Sequence, residues 1–152
     1  MDLLVRGIER SEVRAAAEII AEGTLSVGDE HPERVADYWS AVLETRARGG
    51  EVFVGIVGGD VVGLCQVLVF RHFQHTGGWC AELESVYVRA DRRGAGIGAR
   101  LIATAEEHAR RAGCYRIQLT SRNVRTDAHR FYLANDYQQT SQGFRKSLDH
   151  LA

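Results

Sequence analysis

Three glycines within five residues, Gly94, Gly96 and Gly98, follow the pair Arg92-Arg93 and precede a run with helical apolar spacing. Such a turn brings backbone N–H groups close to a phosphate, because no Cβ blocks the approach and the following helix dipole favours an anion. Arg89, Arg92, Arg93 and Arg100 cluster around it and add positive charge.

The same residues, Gly94-Ala95-Gly96-Ile97-Gly98-Ala99, satisfy the dinucleotide fingerprint G-x-G-x-x-A. That chemistry expects an acid at the end of the next strand, about 20 residues on, to bind a ribose. The next β-rich run, Tyr115-Arg116-Ile117-Gln118-Leu119-Thr120, has none before Asp127. The loop also lies in mid-chain behind a hairpin, with no room for a second nucleotide-binding half, which argues against NAD.

Just upstream, Trp79 to Val88 reads as a long alternating strand. Period-2 geometry puts Glu82, Glu84, Val86 and Val88 on one face and Ala81, Leu83, Ser85 and Tyr87 on the other. Carboxylates on a strand that should be central invite a chemical role, although a solvated sheet face would also accommodate them.

The elements that must carry these residues can be read along the chain. Leu3 to Ile8 suits a first strand, and Ser11 suits the N-cap of a helix with Val13, Ala16, Ala17 and Ile20 on one side. Pro32 stands at a favoured first helical position before Val35, Tyr38, Trp39, Val42 and Leu43. Two strands, Val52 to Val57 and Val61 to Phe70, flank the hairpin signal Gly58-Gly59-Asp60, and the second is apolar on both faces, as a central strand covered by helices would be. Ile97, Leu101, Ala105, Ala109 and Ala112 mark a third helix ended by Gly113. Tyr115 to Ser121 reads as a strand, and Ala128, Phe131 and Tyr132 as a fourth helix. Tyr137 and the segment Phe144 to Leu148 supply closing strands. The order β-α-α-β-β-β-α-β-α-β-β describes an α/β fold: a mixed sheet with helices on its faces, in a single domain over residues 1–152.

Composition agrees with a soluble domain: 152 residues, 45% hydrophobic and 26% charged, with a net charge of −1. That charge supplies no general attraction to nucleic acid or to an anionic membrane. Cys65, Cys80 and Cys114 form no C-x-x-C pair, which fits a reducing cytoplasm. No apolar run approaches the roughly 20 residues of a membrane span, and the N-terminus lacks the apolar stretch of a signal peptide. His72, His75 and Cys80 are spaced too loosely to suggest zinc, and no metal is expected.

The glycine loop in this setting resembles the GNAT superfamily of N-acetyltransferases, whose R-x-x-G-x-G/A is met by Arg93, Gly96 and Gly98. Leu83 to Val88 is similar to that family's fourth strand, and Asn123 through Tyr132 to its second motif. The resemblance implies a mostly antiparallel sheet of six or seven strands, splayed between strands four and five. It implies acetyl-CoA as co-substrate and direct attack by a primary amine of a small molecule or peptide in a ternary complex. Cofactor binding then falls to the main chain of Val86, Tyr87 and Val88, to the loop from Arg93 and Gly94 through Ala95, Gly96, Ile97, Gly98 and Ala99, and to Asn123. Tyr132 matches the tyrosine that protonates the leaving thiolate, and its phenol, pKa about 10, is a suitable donor. Glu84, with Glu82 as a second choice, is placed to take the ammonium proton or to bind a cationic acceptor. A catalytically silent acyl-CoA sensor is the competing reading, and a homodimer is compatible with either. Asp136 departs from the family, where glycine before an aromatic is usual, but Asp tolerates a left-handed turn.

Overall fold

The structure, a computed structural model, describes residues 1–149. The chain divides into two compact units, Met1–Gln118 and Leu119–Ala152.

The first unit is built on one sheet with strand order β1-β2-β3-β4-β5. In chain order, β1 (Leu3–Gly7) leads through a single 3-10 turn into α1 (Val13–Gly23), followed by α2 (Val35–Ala47) and the hairpin β2 (Glu51–Val57) and β3 (Asp60–Arg71). A distorted turn, α3 (Gln74–Gly77), precedes β4 (Trp79–Val88), α4 (Ile97–Arg111) and β5 (Cys114–Gln118). The pairs from β1 to β4 are antiparallel, and β5 runs parallel to β4 after the α4 crossover. The hairpin signal is realised as expected: Gly58 and Gly59 both hold positive φ, 57° and 83°, between paired Val57 and Asp60.

Helices cover both faces of β3. On one side Ile8, Val13, Ala16, Ile19 and Val42 bury against Val52, Val54, Ile56, Val61 and Leu64. On the other, the Cys65 thiol donates to the Leu101 carbonyl at 3.6 Å, and a Cβ on Gly63 would meet Leu101 Cδ1 at 3.0 Å. Glycine at 63 therefore lets α4 sit close enough for Ile97, Leu101 and Ile102 to be fully buried.

Two helix starts differ from expectation. Ser11 lies inside the 3-10 turn Arg10–Glu12 and caps nothing. Pro32 belongs to a turn closed by the Arg34 N–H on the His31 carbonyl, and α2 begins only at Val35. In both cases an extra turn takes up residues that helical spacing alone assigns to the helix.

In the second unit, α5 (Thr126–Ala134) ends where Asn135 Nδ2 donates to the Phe131 carbonyl and Asp136 takes φ 69°. The tolerated left-handed Asp is thus used. Residues 138–149 form no helix or strand. The sheet therefore has five strands among the described residues, not six or seven, and neither Tyr137 nor Phe144 to Leu148 closes it. No helix among the described residues is long and apolar enough to cross a membrane.

Candidate active site

The end of β4 and the start of α4 form one continuous surface within the first unit. β3 pairs Gln66 with Glu84 and Leu64 with Tyr87, so Ser85 and Val86 stand opposite Cys65 alone. Ser85 takes φ 51°, which marks a β-bulge. An inserted residue reverses every later side-chain direction. Glu82, Glu84 and Tyr87 consequently share the α1/α2 face with Leu64 and Gln66, whereas Val88, opposite Gly63, turns to the α4 face with Ala81 and Leu83. The expected grouping of Val88 with the two glutamates is corrected by this bulge.

The β4–β5 ladder is short. It pairs Trp79 with Cys114, Ala81 with Ile117 and Glu82 with Gln118, then stops. β4 continues to Val88 with no strand on that side among the described residues, which is the divergence expected between strands four and five. Val86 and Tyr87 lie in this stretch, beyond the last β4–β5 pair. The Val88 carbonyl is already used, accepting from Arg93 Nε at 3.2 Å, and this bond draws the loop back onto the strand end.

After a 3-10 turn at Ala90–Arg92, Arg93 is extended, Gly94 has φ 80°, and Gly96, at φ 81°, is the N-cap of α4. No side chain caps this helix. Its first-turn N–H groups, which include those of Ile97, Gly98 and Ala99, have no carbonyl partner in the helix and can receive an anion. No atom lies within 4 Å of the position a Cβ would take on Gly94 or Gly96, so the cradle is open on that side. Ile97 contributes only main chain, since its side chain is 1% exposed in the core. Arg93, Gly94, Ala95 and Gly96 are exposed. Of the four surrounding arginines, Arg89 is held by Asp91 at 2.6 Å and lowers that carboxyl below its ordinary pKa.

The two glutamates differ in environment. Gln118, their neighbour across the ladder, donates from Nε2 to Glu82 Oε2 at 2.9 Å, and Arg116 Nε donates to Gln118 Oε1 at 2.9 Å. Glu84 is exposed, yet neighbouring atoms displace enough water to push its carboxyl pKa up, and the negative charge of Glu82 pushes it further. A carboxylate with raised pKa is a better proton acceptor. Gln118 was not singled out by sequence; only a register placing Glu82 beside Gln118 could have revealed it.

In the second unit Asn123 is exposed in the segment before α5. Tyr132 lies on α5 between Phe131 and Tyr137, with ring centroids 5.2 and 5.7 Å away. His129 donates from Nε2 to the Arg122 carbonyl at 3.0 Å, a structural role at the start of the helix.

The acidic residues between α1 and α2 are engaged locally. Glu33 faces His31, while Glu30 accepts from the Tyr38 hydroxyl and Asp37 pairs with Arg34 at 2.6 Å around a cleft of about 350 Å³. His72 Nδ1 contacts the Tyr115 hydroxyl, and no three His, Cys, Asp or Glu side chains gather as metal ligands among the described residues.

This architecture, a sheet opened beside a glycine-rich helix start, is that of an acyl-CoA-dependent transferase. The family model of the acetyltransferase (GNAT) family matches residues 14–137, and the chain belongs to that family. The aminoalkylphosphonate N-acetyltransferase of Salmonella typhimurium is 40% identical over 90 residues, 59% of this chain and 58% of that one, so the match spans less than two thirds of that relative. The glucosamine 6-phosphate N-acetyltransferase of Trypanosoma brucei brucei is 29% identical over 124 residues, 80% of this chain and 81% of that one. The crystal structure of a transcriptional regulator from Bacillus halodurans superposes with a TM-score of 0.88 at 28% identity, covering 97% of this chain and 100% of that one.

Proposed function

We propose that this chain is an N-acetyltransferase that moves the acetyl group of acetyl-CoA to a primary amine by direct attack in a ternary complex. The observation that carries the reading is the pairing of an uncapped, glycine-lined α4 start with a β4 that runs on beyond its β5 partner. The family match from 14 to 137 crosses from one compact unit into the other, which supports one acetyltransferase domain over both.

Each residue has a task in this reading. The N–H groups of Gly94 to Ala99, with Arg93, hold the pyrophosphate. The main chain of Val86, Tyr87 and Val88 holds the pantetheine arm and polarises the thioester carbonyl, as an oxyanion donor does. Asn123 adds a side-chain hydrogen bond to that arm. Glu84 accepts a proton from the acceptor ammonium, leaving a neutral amine whose lone pair attacks the carbonyl carbon. The C–N bond forms, the C–S bond breaks, Tyr132 donates its phenolic proton to the departing thiolate, and the proton then lost by the amide nitrogen returns to the tyrosinate through water. Acetyl-CoA itself supplies the activated acyl carbon.

The acceptor is a small primary amine. The two acetyltransferase relatives are named for aminoalkylphosphonates and glucosamine 6-phosphate, amines that also carry a phosphorus oxyanion. The local pairing of Glu30, Glu33 and Asp37 weakens the case for a polycationic acceptor. The test is calorimetric titration with acetyl-CoA, then thiol release with a panel of aminoalkylphosphonates, amino-sugar phosphates, polyamines and amino acids. Turnover on an amine, with Tyr132→Phe retaining acetyl-CoA affinity but losing rate at least tenfold, is the expected outcome. Binding without turnover on any amine would favour the sensor reading, to which the regulator from Bacillus halodurans lends some support.

A further inference from the structure

Gln66 interrupts the apolar run of β3 from Val61 to Val69, where an apolar side chain would serve a covered strand better. Its Nε2 donates to the hydroxyl of Thr45 on α2 at 2.9 Å. Thr45 does not need that bond: it is 5% exposed, and its hydroxyl already donates to the Ala41 carbonyl one turn back at 2.7 Å. With its single proton given to Ala41, the hydroxyl can only accept from Gln66. That fixes the amide with its nitrogen toward α2 and leaves Oε1 to accept from elsewhere.

Oε1 has no partner among the described residues, yet it is not sealed in, since no buried side-chain nitrogen or oxygen there goes without a partner. Directly across the ladder, on the same α1/α2 face, stands Glu84, whose carboxylate also accepts no hydrogen bond from a described residue. Glu82, two residues earlier, is by contrast held by Gln118. Directly opposed side chains start from Cβ atoms about 5 Å apart, and one nitrogen reaches two acceptors so placed with bonds of about 2.9 Å. We propose that Gln66 Oε1 and the Glu84 carboxylate together seat the primary ammonium of the acceptor, and that Thr45 is the positioning residue that keeps the Gln66 carbonyl turned to it.

The assignment rests on the reading of Glu84 as the base and supplies what that base lacks. When one ammonium proton passes to Glu84, the neutral amine keeps two N–H groups and a lone pair. A second acceptor, fixed before the substrate arrives, takes one of those N–H groups and so limits the directions in which the lone pair can point. An amide oxygen suits this task better than a third carboxylate, because it accepts without competing for the proton or adding to the charge of Glu82 and Glu84. The bond is made to the ammonium and to the amine alike, so its loss falls on KM more than on kcat.

The test is steady-state thiol release with whichever of 2-aminoethylphosphonate, glucosamine 6-phosphate, putrescine and glycine the wild type turns over fastest, alongside thermal melting and acetyl-CoA titration. Gln66→Leu should raise the amine KM about tenfold, as loss of a hydrogen bond to a charged group does, with kcat little changed, acetyl-CoA affinity intact and no loss of melting temperature. Two Thr45 variants separate positioning from packing. Thr45→Val keeps the shape but loses the hydroxyl, so KM rises; Thr45→Ser keeps the hydroxyl but loses a buried methyl, so it melts lower with KM preserved. An active wild type whose amine KM is unchanged by Gln66→Leu or by Thr45→Val overturns this assignment alone, and so does a KM that follows melting temperature across the two Thr45 variants. A wild type that turns over no amine of the panel refutes the transfer reading, and this assignment with it.

Discussion

The ring of Tyr87 occupies the space that a side chain on Gly23 would need. A Cβ there would stand 2.9 Å from Tyr87 Cδ1 and 3.1 Å from Cε1. The contact exists because the Ser85 bulge turns Tyr87 onto the α1 face, where it packs beside Leu64. It joins the last residue of α1 to the part of β4 beyond its last pair with β5.

Gly23→Ala is therefore expected to destabilise the protein. Alanine is favoured over glycine in a helix by up to about 1 kcal/mol, but forcing a methyl into a filled site costs about 1–3 kcal/mol. The steric term wins, and urea unfolding should show a net loss of about 1 kcal/mol. Combining Gly23→Ala with Tyr87→Ala should give less than the sum of the two losses, since the second change removes the clash. A strictly additive pair would show that the ring moves aside freely.

Glu84 offers a pH-dependent check. Its carboxyl pKa is raised in the folded state, first by loss of water and then by Glu82, so folding is favoured by its protonated form. The destabilisation from ionised Glu84 is absent below the unfolded-state pKa of about 4.3 and complete above the folded-state value. Glu84→Gln should then melt higher than the parent at pH 7–8 and match it near pH 4. If Glu84 is also the base, the same variant loses turnover throughout, and the acid limb of the parent's kcat/KM profile lies above the ordinary glutamate range. A variant that melts lower at neutral pH would mean that the carboxylate is held by favourable contacts instead.

The cysteines should be nearly inert in the folded protein. Cys65 is fully buried and burial pushes its thiol up to about 12, while Cys114 is raised by burial and by the nearby Cys80. At pH 8 only about 1 in 10,000 of the Cys65 thiols would be ionised, and the thiolate is the reactive form. A disulfide reagent should find at most Cys114, slowly, in native protein and all three thiols after denaturation. Rapid native labelling of Cys65 would require α4 to lift from the sheet.

What could be read from sequence depended on whether a local pattern was interrupted. Gly58-Gly59 announced its hairpin because glycine takes successive positive φ angles at little cost, and the loop at Gly94 to Gly98 was legible because Gly94 and Gly96 also hold positive φ. The bulge at Ser85 carries no such mark: a serine adopts the left-handed conformation, and plain alternation then assigns Val88 to the wrong face. The bond from Gln118 to Glu82 joins residues 36 apart and needs the β4–β5 register, which local periodicity does not contain. Strand pattern at Phe144 to Leu148 was real as pattern, but a strand needs a partner as well as a sequence.

Gly96 tests the cradle most directly, because stability and binding respond differently there. The residue has φ 81° and open space around its Cβ position, so alanine meets no atom but must adopt a left-handed backbone. That costs about 1–2 kcal/mol in the free protein. The added methyl would also project into the space left open beside the uncapped start of α4, where the pyrophosphate is proposed to bind, and either blocks it or shifts the N–H groups that receive it. Gly96→Ala is thus expected to weaken acetyl-CoA binding at least tenfold in calorimetry while lowering the melting temperature only a few degrees. Gly113→Ala is the control: it too has a positive φ, 79°, and open surroundings, but it follows α4 at the opposite end of the helix. It should show a similar thermal loss with unchanged affinity. If the two variants lose affinity equally, the effect of Gly96 is backbone strain alone, and the glycine loop does not hold the phosphates.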